Sequence, residues 1–110
     1  MKRGDLVTIA VSGDYGKPRP ALVVQADAFA ALGSVTVLRI TSELHDWPLF
    51  RVTVQPSAEN GLRVPSQVMV DLAVTLPREK VGAVFGRVEA ATMRKVGVAM
   101  MRFLGLEGGG

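Results

Sequence analysis

The chain has 110 residues, 48% of them hydrophobic, and 13 Lys and Arg against 10 Asp and Glu give a net charge of +3. That length fits one small domain, and the apolar share argues for a packed core rather than a disordered segment. The lack of cysteine and the single histidine exclude a disulfide framework, thiolate chemistry and a Cys/His zinc site, and the small basic excess permits an anionic partner without demanding one.

Met1-Lys2-Arg3-Gly4-Asp5 lacks the apolar region of a signal peptide, and no apolar stretch approaches membrane-spanning length. The expected location is the cytoplasm, with no membrane partner. Leu6 to Val11 is β-branched and predicts a first strand. A Gly/Pro loop follows over 12–19, and the apolar run at 21–25 predicts a second strand. Residues 26–33 form a connector of small residues with room for one helical turn. Val35 to Ile40 predicts a third strand, and 41–48 a polar loop carrying His45 and Trp47. Phe50, Val52 and Val54 alternate on one face of a fourth strand.

After a turn at 56–61, Ser66 to Asp71 alternates again, with Gln67, Met69 and Asp71 opposite Val68 and Val70. Thr75 to Glu79 suggests a helical turn with Pro77 at its first position. Val84 to Val88 is a short last strand. From Ala90 to Leu104, Met93, Val96, Gly97, Met100, Met101 and Leu104 recur at helical spacing, a stripe read as core. Gly105-Leu106 marks a helix stop with its apolar clasp. The expectation is one domain over 1–106 with a flexible tail at 107–110. Its class is mainly β: a small SH3-like barrel with short helices and a C-terminal helix.

Most enzyme chemistries lack their residues here. There is no P-loop, no dinucleotide fingerprint and no evident Ser/His/Asp order. His45 stands beside Asp46 in a loop and reads as a surface histidine, with proton transfer as the lesser alternative. What remains is Arg, Lys, Asp and hydroxyls, a set suited to phosphodiester chemistry without metal or other cofactor. Arginine offers a planar fork of donors that matches two phosphate oxygens. In RNA the 2′-hydroxyl is a nucleophile already in place. Arg19 is held between Pro18 and Pro20 at the mouth of the second strand. Pro20 pushes Arg19 toward an extended backbone. On spacing alone it reads as a solvated loop residue.

Further residues strengthen another reading. Arg3-Gly4-Asp5-Leu6-Val7 and Gly16-Lys17-Pro18-Arg19-Pro20-Ala21-Leu22-Val23-Val24-Gln25 resemble the opening of the MazF/PemK family of toxin endoribonucleases. Ile40-Thr41-Ser42 is similar to the I-T-(S/T/G) that ends the family's third strand. Val70-Asp71 with Thr75-Leu76 resembles its acidic strand, and Phe103-Leu104-Gly105-Leu106 its terminal L-G-L. The resemblance covers nearly the whole chain.

It implies a homodimer that binds single-stranded RNA in a shared groove and is blocked by a cognate antitoxin. It also implies metal-independent cleavage that leaves a 2′,3′-cyclic phosphate and a 5′-hydroxyl. Arg19 would face the scissile phosphate, stabilise its charge and act as acid toward the leaving oxygen. Thr41 would bond a non-bridging oxygen. Lys17, Tyr15, Ser42 and Trp47 are the candidate RNA contacts, while Arg39, Arg51 and Arg63 are either phosphate contacts or solvated charges. Phe50 reads as core.

Two departures stand out. Leu72 and Val74 occupy positions where the family often has Gln and Arg, and Gly13-Asp14-Tyr15 stands where S-E-Q is frequent. The carboxylate base is therefore open between Asp14 and Asp71, and a structural role is open for either. The alternatives are a gyrase-poisoning toxin on the same fold and a catalytically inactive SH3-like interaction module. The first relies on a tryptophan near the chain end, whereas the only tryptophan here is Trp47.

Overall fold

The structure, a computed structural model, describes residues 1–10 and 17–106. Six strands form one antiparallel sheet: β1 (Asp5–Ile9), β2 (Arg19–Val23), β3 (Ser34–Thr41), β4 (Arg51–Val54), β5 (Ser66–Pro77) and β6 (Val81–Arg87). Their order across the sheet is β4-β5-β3-β2-β1-β6. Short 3-10 turns at Asp27–Phe29 and Arg78–Lys80 connect strands, and α1 (Ala90–Phe103) ends the fold. The expected class is borne out in its strands, short helices and C-terminal helix. The barrel, however, is not closed, because β4 and β6 remain edges.

Both faces of the sheet carry a core. Leu6, Leu22, Leu38, Val68 and the α1 residues Val96 and Ala99 form one cluster. Val7, Ile9, Ala21, Val23, Val35 and Val37 form a second on the opposite face. Two buried faces explain why β1 to β3 read as nearly continuous apolar runs rather than strict alternation.

β5 is twelve residues long and bends. Leu38 faces Ala73, yet Ile40 faces Val68, so β5 carries three residues more than β3 over this stretch. A bulge of this kind turns a strand. The first part of β5 pairs with β4 and the end of β3, and the second part with the start of β3. The helical turn expected at 75–79 is corrected here. Thr75 to Pro77 stay in the strand, opposite Ser34 to Thr36, and the turn begins at Arg78.

The helix stop is as expected. Gly105 has φ 70°, Leu106 N–H donates to the Met101 carbonyl and Gly105 N–H to that of Arg102, the paired bonds of a Schellman ending. The apolar stripe is narrower than predicted. Val96 and Ala99 are buried and Met93 and Met100 pack against them, while Met101 and Leu104 are 44% and 58% exposed. Among the described residues, no helix is long and apolar enough to cross a membrane.

Candidate active site

The second core cluster runs out at one end of the sheet, and polar side chains take over. The β2–β3 ladder pairs Val23 with Val37 and Ala21 with Arg39. Continued two residues to the ends of both strands, this register sets Arg19 opposite Thr41. Side chains at alternate positions share a face. Arg19 and Thr41 therefore extend the row of Ala21, Val23 and Val37 beyond the apolar cluster. Arg19 also pairs with Ile9 of β1 and is exposed. Its backbone is held by the ladder with β1.

Thr41 is half-buried. Its Oγ1 accepts from Glu43 N–H at 3.0 Å. That bond uses an acceptor site and leaves the hydroxyl proton to be donated outward. Across the sheet, Gln67 pairs with both Thr41 of β3 and Thr53 of β4. Its side chain is buried, and its amide works like a strand. Oε1 accepts from His45 N–H at 3.0 Å, and Nε2 donates to the His45 carbonyl at 2.8 Å and to Thr53 Oγ1 at 3.2 Å. These bonds anchor the 42–50 loop at its middle.

The loop carries a chain of contacts at alternate residues. His45 Nε2 lies 3.5 Å from Glu43 Oε1. The His45 and Trp47 rings are parallel within 2° at 3.9 Å between centroids. Trp47 also stacks on Phe50 at 5.6 Å, and the Arg51 guanidinium carbon sits 5.0 Å from the Trp47 centroid. Such cation–π contact is favourable, more so when desolvated. Arg51 is then fixed by Asp71. Its Nη2 donates to Oδ2 at 3.3 Å, and its Nε makes an ion-pair contact with Oδ1 at 3.2 Å. The Arg51 side chain is only 9% exposed, so it is a buried strut rather than a phosphate contact.

The sequence candidates thus fall into three groups. Arg19 and Thr41 end neighbouring strands, β2 and β3, whose ladder runs as far as Ala21 and Arg39, with Lys17 exposed two residues ahead of Arg19 and Ser42 exposed after Thr41. Trp47 and Asp71 belong to the neighbouring column that ends in Arg51. Asp14 and Tyr15 lie outside the described residues. The sequence reading missed Gln67 as an anchor and the Glu43–His45–Trp47 succession. The available signals were a polar residue inside an apolar strand, and Thr41, Glu43, His45 and Trp47 at every second position. Among the described residues, no three His, Asp or Glu side chains converge as a metal site.

A single curved antiparallel sheet with a C-terminal helix across one face, and a basic, hydroxyl-bearing rim at its strand ends, is the architecture of the small MazF-like toxins. The family of PemK-like, MazF-like toxins of type II toxin-antitoxin systems matches residues 2–104, and the chain belongs to it. A probable endoribonuclease MazF from Mycolicibacterium smegmatis is 40% identical over 109 residues, covering 98% of this chain and all of the relative. Among solved structures, the Mycobacterium tuberculosis toxin MazF-mt6 superposes with a TM-score of 0.80 at 26% identity, covering 94% of this chain and 98% of its own. An endoribonuclease in complex with its cognate antitoxin, from a mycobacterial species, also gives 0.80, at 25% identity and 97% coverage of both chains. The resemblance read from the Lys17 to Gln25 segment is thus borne out over nearly the whole chain.

Proposed function

We propose that this protein is the toxin of a type II toxin-antitoxin pair and cuts single-stranded RNA through the substrate's own 2′-hydroxyl. The observation that supports this reading is the β2–β3 register, whose ladder reaches Ala21 opposite Arg39 and, carried on to the strand ends, points Arg19 toward Thr41. In the reaction the 2′-oxygen forms a bond to phosphorus, and the bond from phosphorus to the 5′-oxygen breaks. The products are a 2′,3′-cyclic phosphate and a 5′-hydroxyl. Arg19 bonds the phosphate and stabilises its charge, and it serves as acid toward the leaving 5′-oxygen. Thr41 donates its free proton to a non-bridging oxygen. Donors fixed before substrate arrives act without reorganisation in the transition state.

Asp71 is assigned to hold Arg51, since both of its oxygens face that guanidinium. Asp14, five residues ahead of Arg19 in the chain, is assigned to accept the 2′-hydroxyl proton. Lys17, Ser42 and Tyr15 are assigned to the RNA path. The active form is a homodimer acting in the cytoplasm and held in check by a cognate antitoxin; the similar mycobacterial endoribonuclease is in complex with its own cognate antitoxin. Leu72 lies in the irregular stretch of β5 between Val68 and Ala73, and Val74 faces Val37 and packs on the second core cluster, so both departures from the family pattern fall at apolar or irregular positions of β5.

The test is cleavage of a long labelled RNA in excess EDTA, with the ends mapped. Cleavage should persist, with 5′-hydroxyl and cyclic phosphate termini, and should vanish when the nucleotide 5′ to the cut is 2′-deoxy. A need for magnesium, or cleavage of the deoxy substrate, overturns the mechanism. Gyrase inhibition without RNA cleavage would support the gyrase-poisoning alternative.

A further inference from the structure

The loop that leaves β3 after Thr41 carries a stacked column with a buried ion pair at one end and the partly exposed ring of His45 at the other. At the inner end Arg51 and Asp71 form an ion pair with the arginine almost wholly covered. Trp47 lies in the middle. A ring parallel to the indole at 3.9 Å occupies one of its faces. Phe50 at 5.6 Å and the Arg51 guanidinium carbon at 5.0 Å from the indole centroid complete the surroundings of the indole. His45 is the ring at the end of the succession away from Phe50 and Arg51, and its side chain is 33% exposed.

We infer that the outer face of His45 is a stacking platform for one unpaired nucleobase of the substrate. This inference rests on the RNA-cleaving function proposed above and names a subsite of that same site.

Three observations support a platform rather than a decorative ring. Its position is preset through the backbone: both the N–H and the carbonyl of His45 are held by the buried amide of Gln67. The imidazole is stacked parallel on Trp47 at 3.9 Å, so a base adds one more layer to an ordered stack rather than ordering a loose ring. The loop is also tied to the reacting end of the sheet, because Thr41 Oγ1 holds Glu43 N–H and the Glu43 carboxylate faces the imidazole. Single-stranded nucleic acid is commonly held by such stacking, which tolerates any base because every base has a π-face. The ring contact itself needs no proton transfer, which separates it from an acid–base role for His45.

The test uses two probes that cannot be cut by 2′-hydroxyl attack: a mixed-sequence single-stranded DNA nonamer and an abasic nonamer of the same backbone. Binding is followed by the fluorescence of Trp47, the only tryptophan in the chain. The wild type should bind the base-bearing strand about 5- to 150-fold more tightly than the abasic strand, the range expected for one stacked base. His45→Ala should reduce that preference to within about twofold, with a thermal melt close to wild type because the backbone anchors remain. His45→Phe, which keeps a flat ring and has no titratable nitrogen, should restore most of the preference.

The platform is overturned if His45→Ala keeps the preference, or if His45→Phe behaves like His45→Ala. RNA cleavage is measured separately on the same proteins. A wild type that shows the His45-dependent preference and cuts no RNA refutes the proposed activity and leaves the platform standing. A wild type that cuts RNA without the preference refutes only the platform. A wild type that neither cuts nor shows the preference overturns both.

Discussion

Replacing Gln67 by Leu keeps roughly the volume of the side chain and removes every polar atom that anchors the 42–50 loop. Three bonds disappear: those to the N–H and carbonyl of His45, and that to Thr53 Oγ1. A typical intramolecular hydrogen bond is worth about 0.5–1.5 kcal/mol net, and a buried polar group left unpaired costs more. The loop is half-exposed, so its freed backbone groups reach water by swinging outward, which keeps the cost near the low end. The expected loss is about 2–3 kcal/mol. At this chain length each kcal/mol shifts the melting temperature by about 4 °C, so Gln67→Leu should melt about 10 °C below wild type. The second consequence is positional. The His45–Trp47 stack loses its anchor, so Trp47 should become more accessible to a neutral quencher such as acrylamide at temperatures well below the melt. Differential scanning calorimetry and acrylamide quenching of the single tryptophan provide the two readings. A variant that melts within about 2 °C of wild type with unchanged quenching would refute the assignment of Gln67 as the loop anchor.

Arg19→Ala should lower single-turnover RNA cleavage by roughly 100- to 1,000-fold. Its melt should move by less than about 2 °C, because the residue is exposed at a strand entrance. Arg19→Lys should recover little, since a point charge does not reproduce the planar fork; cleavage by Arg19→Ala within about threefold of wild type would remove Arg19 from the chemistry. Asp71→Asn should destabilise the fold by about 2 kcal/mol, because it leaves a largely covered arginine without its counter-ion, and a chemical denaturation midpoint equal to wild type would count against the strut. Gly86→Ala should lose about 3 kcal/mol or fail to fold, since a Cβ there would overlap the Asn60 carbonyl group; circular dichroism melts compare it with Gly33→Ala, where a Cβ meets nothing within 4 Å.

The strands were legible because their apolar runs are short, β-branched and bounded by turn residues. The fold departs from that reading where pairing partners decide the outcome. Thr75-Leu76-Pro77 has the composition of a helix start, yet it stays extended because the beginning of β3 offers it a ladder. Pro77 is tolerated as the last strand residue, where a missing donor matters least. Met101 and Leu104 share a helical stripe with Val96, but a helix lying on one sheet face buries only part of that stripe. Whether the sheet closes depends on how far apart β4 and β6 end up, which no local pattern records. Within the site, Arg19 and Thr41 stood out through resemblance rather than spacing, because they are twenty-two residues apart in the chain. The Arg51–Asp71 contact follows from the β4–β5 register, which sets Arg51 opposite Met69, two residues from Asp71 on the same face, and that pairing is not recorded in the alternation of either strand alone.

The late place of β5 and β6 in the chain also bears on when the molecule becomes dangerous during its own synthesis. A nascent chain that has emerged only to β4 already displays Arg19 and Thr41, but it lacks Gln67 to pin the loop and Asp71 to hold Arg51. The sheet is completed only when Arg87 reaches Asp5, across almost the entire chain. Folds dominated by such distant pairings form slowly compared with helical ones. Because Gln67 and Asp71 are made after the loop and the arginine they hold, a polypeptide released early by a stalled ribosome should be inert, and toxicity should appear only once the last third of the protein has been made.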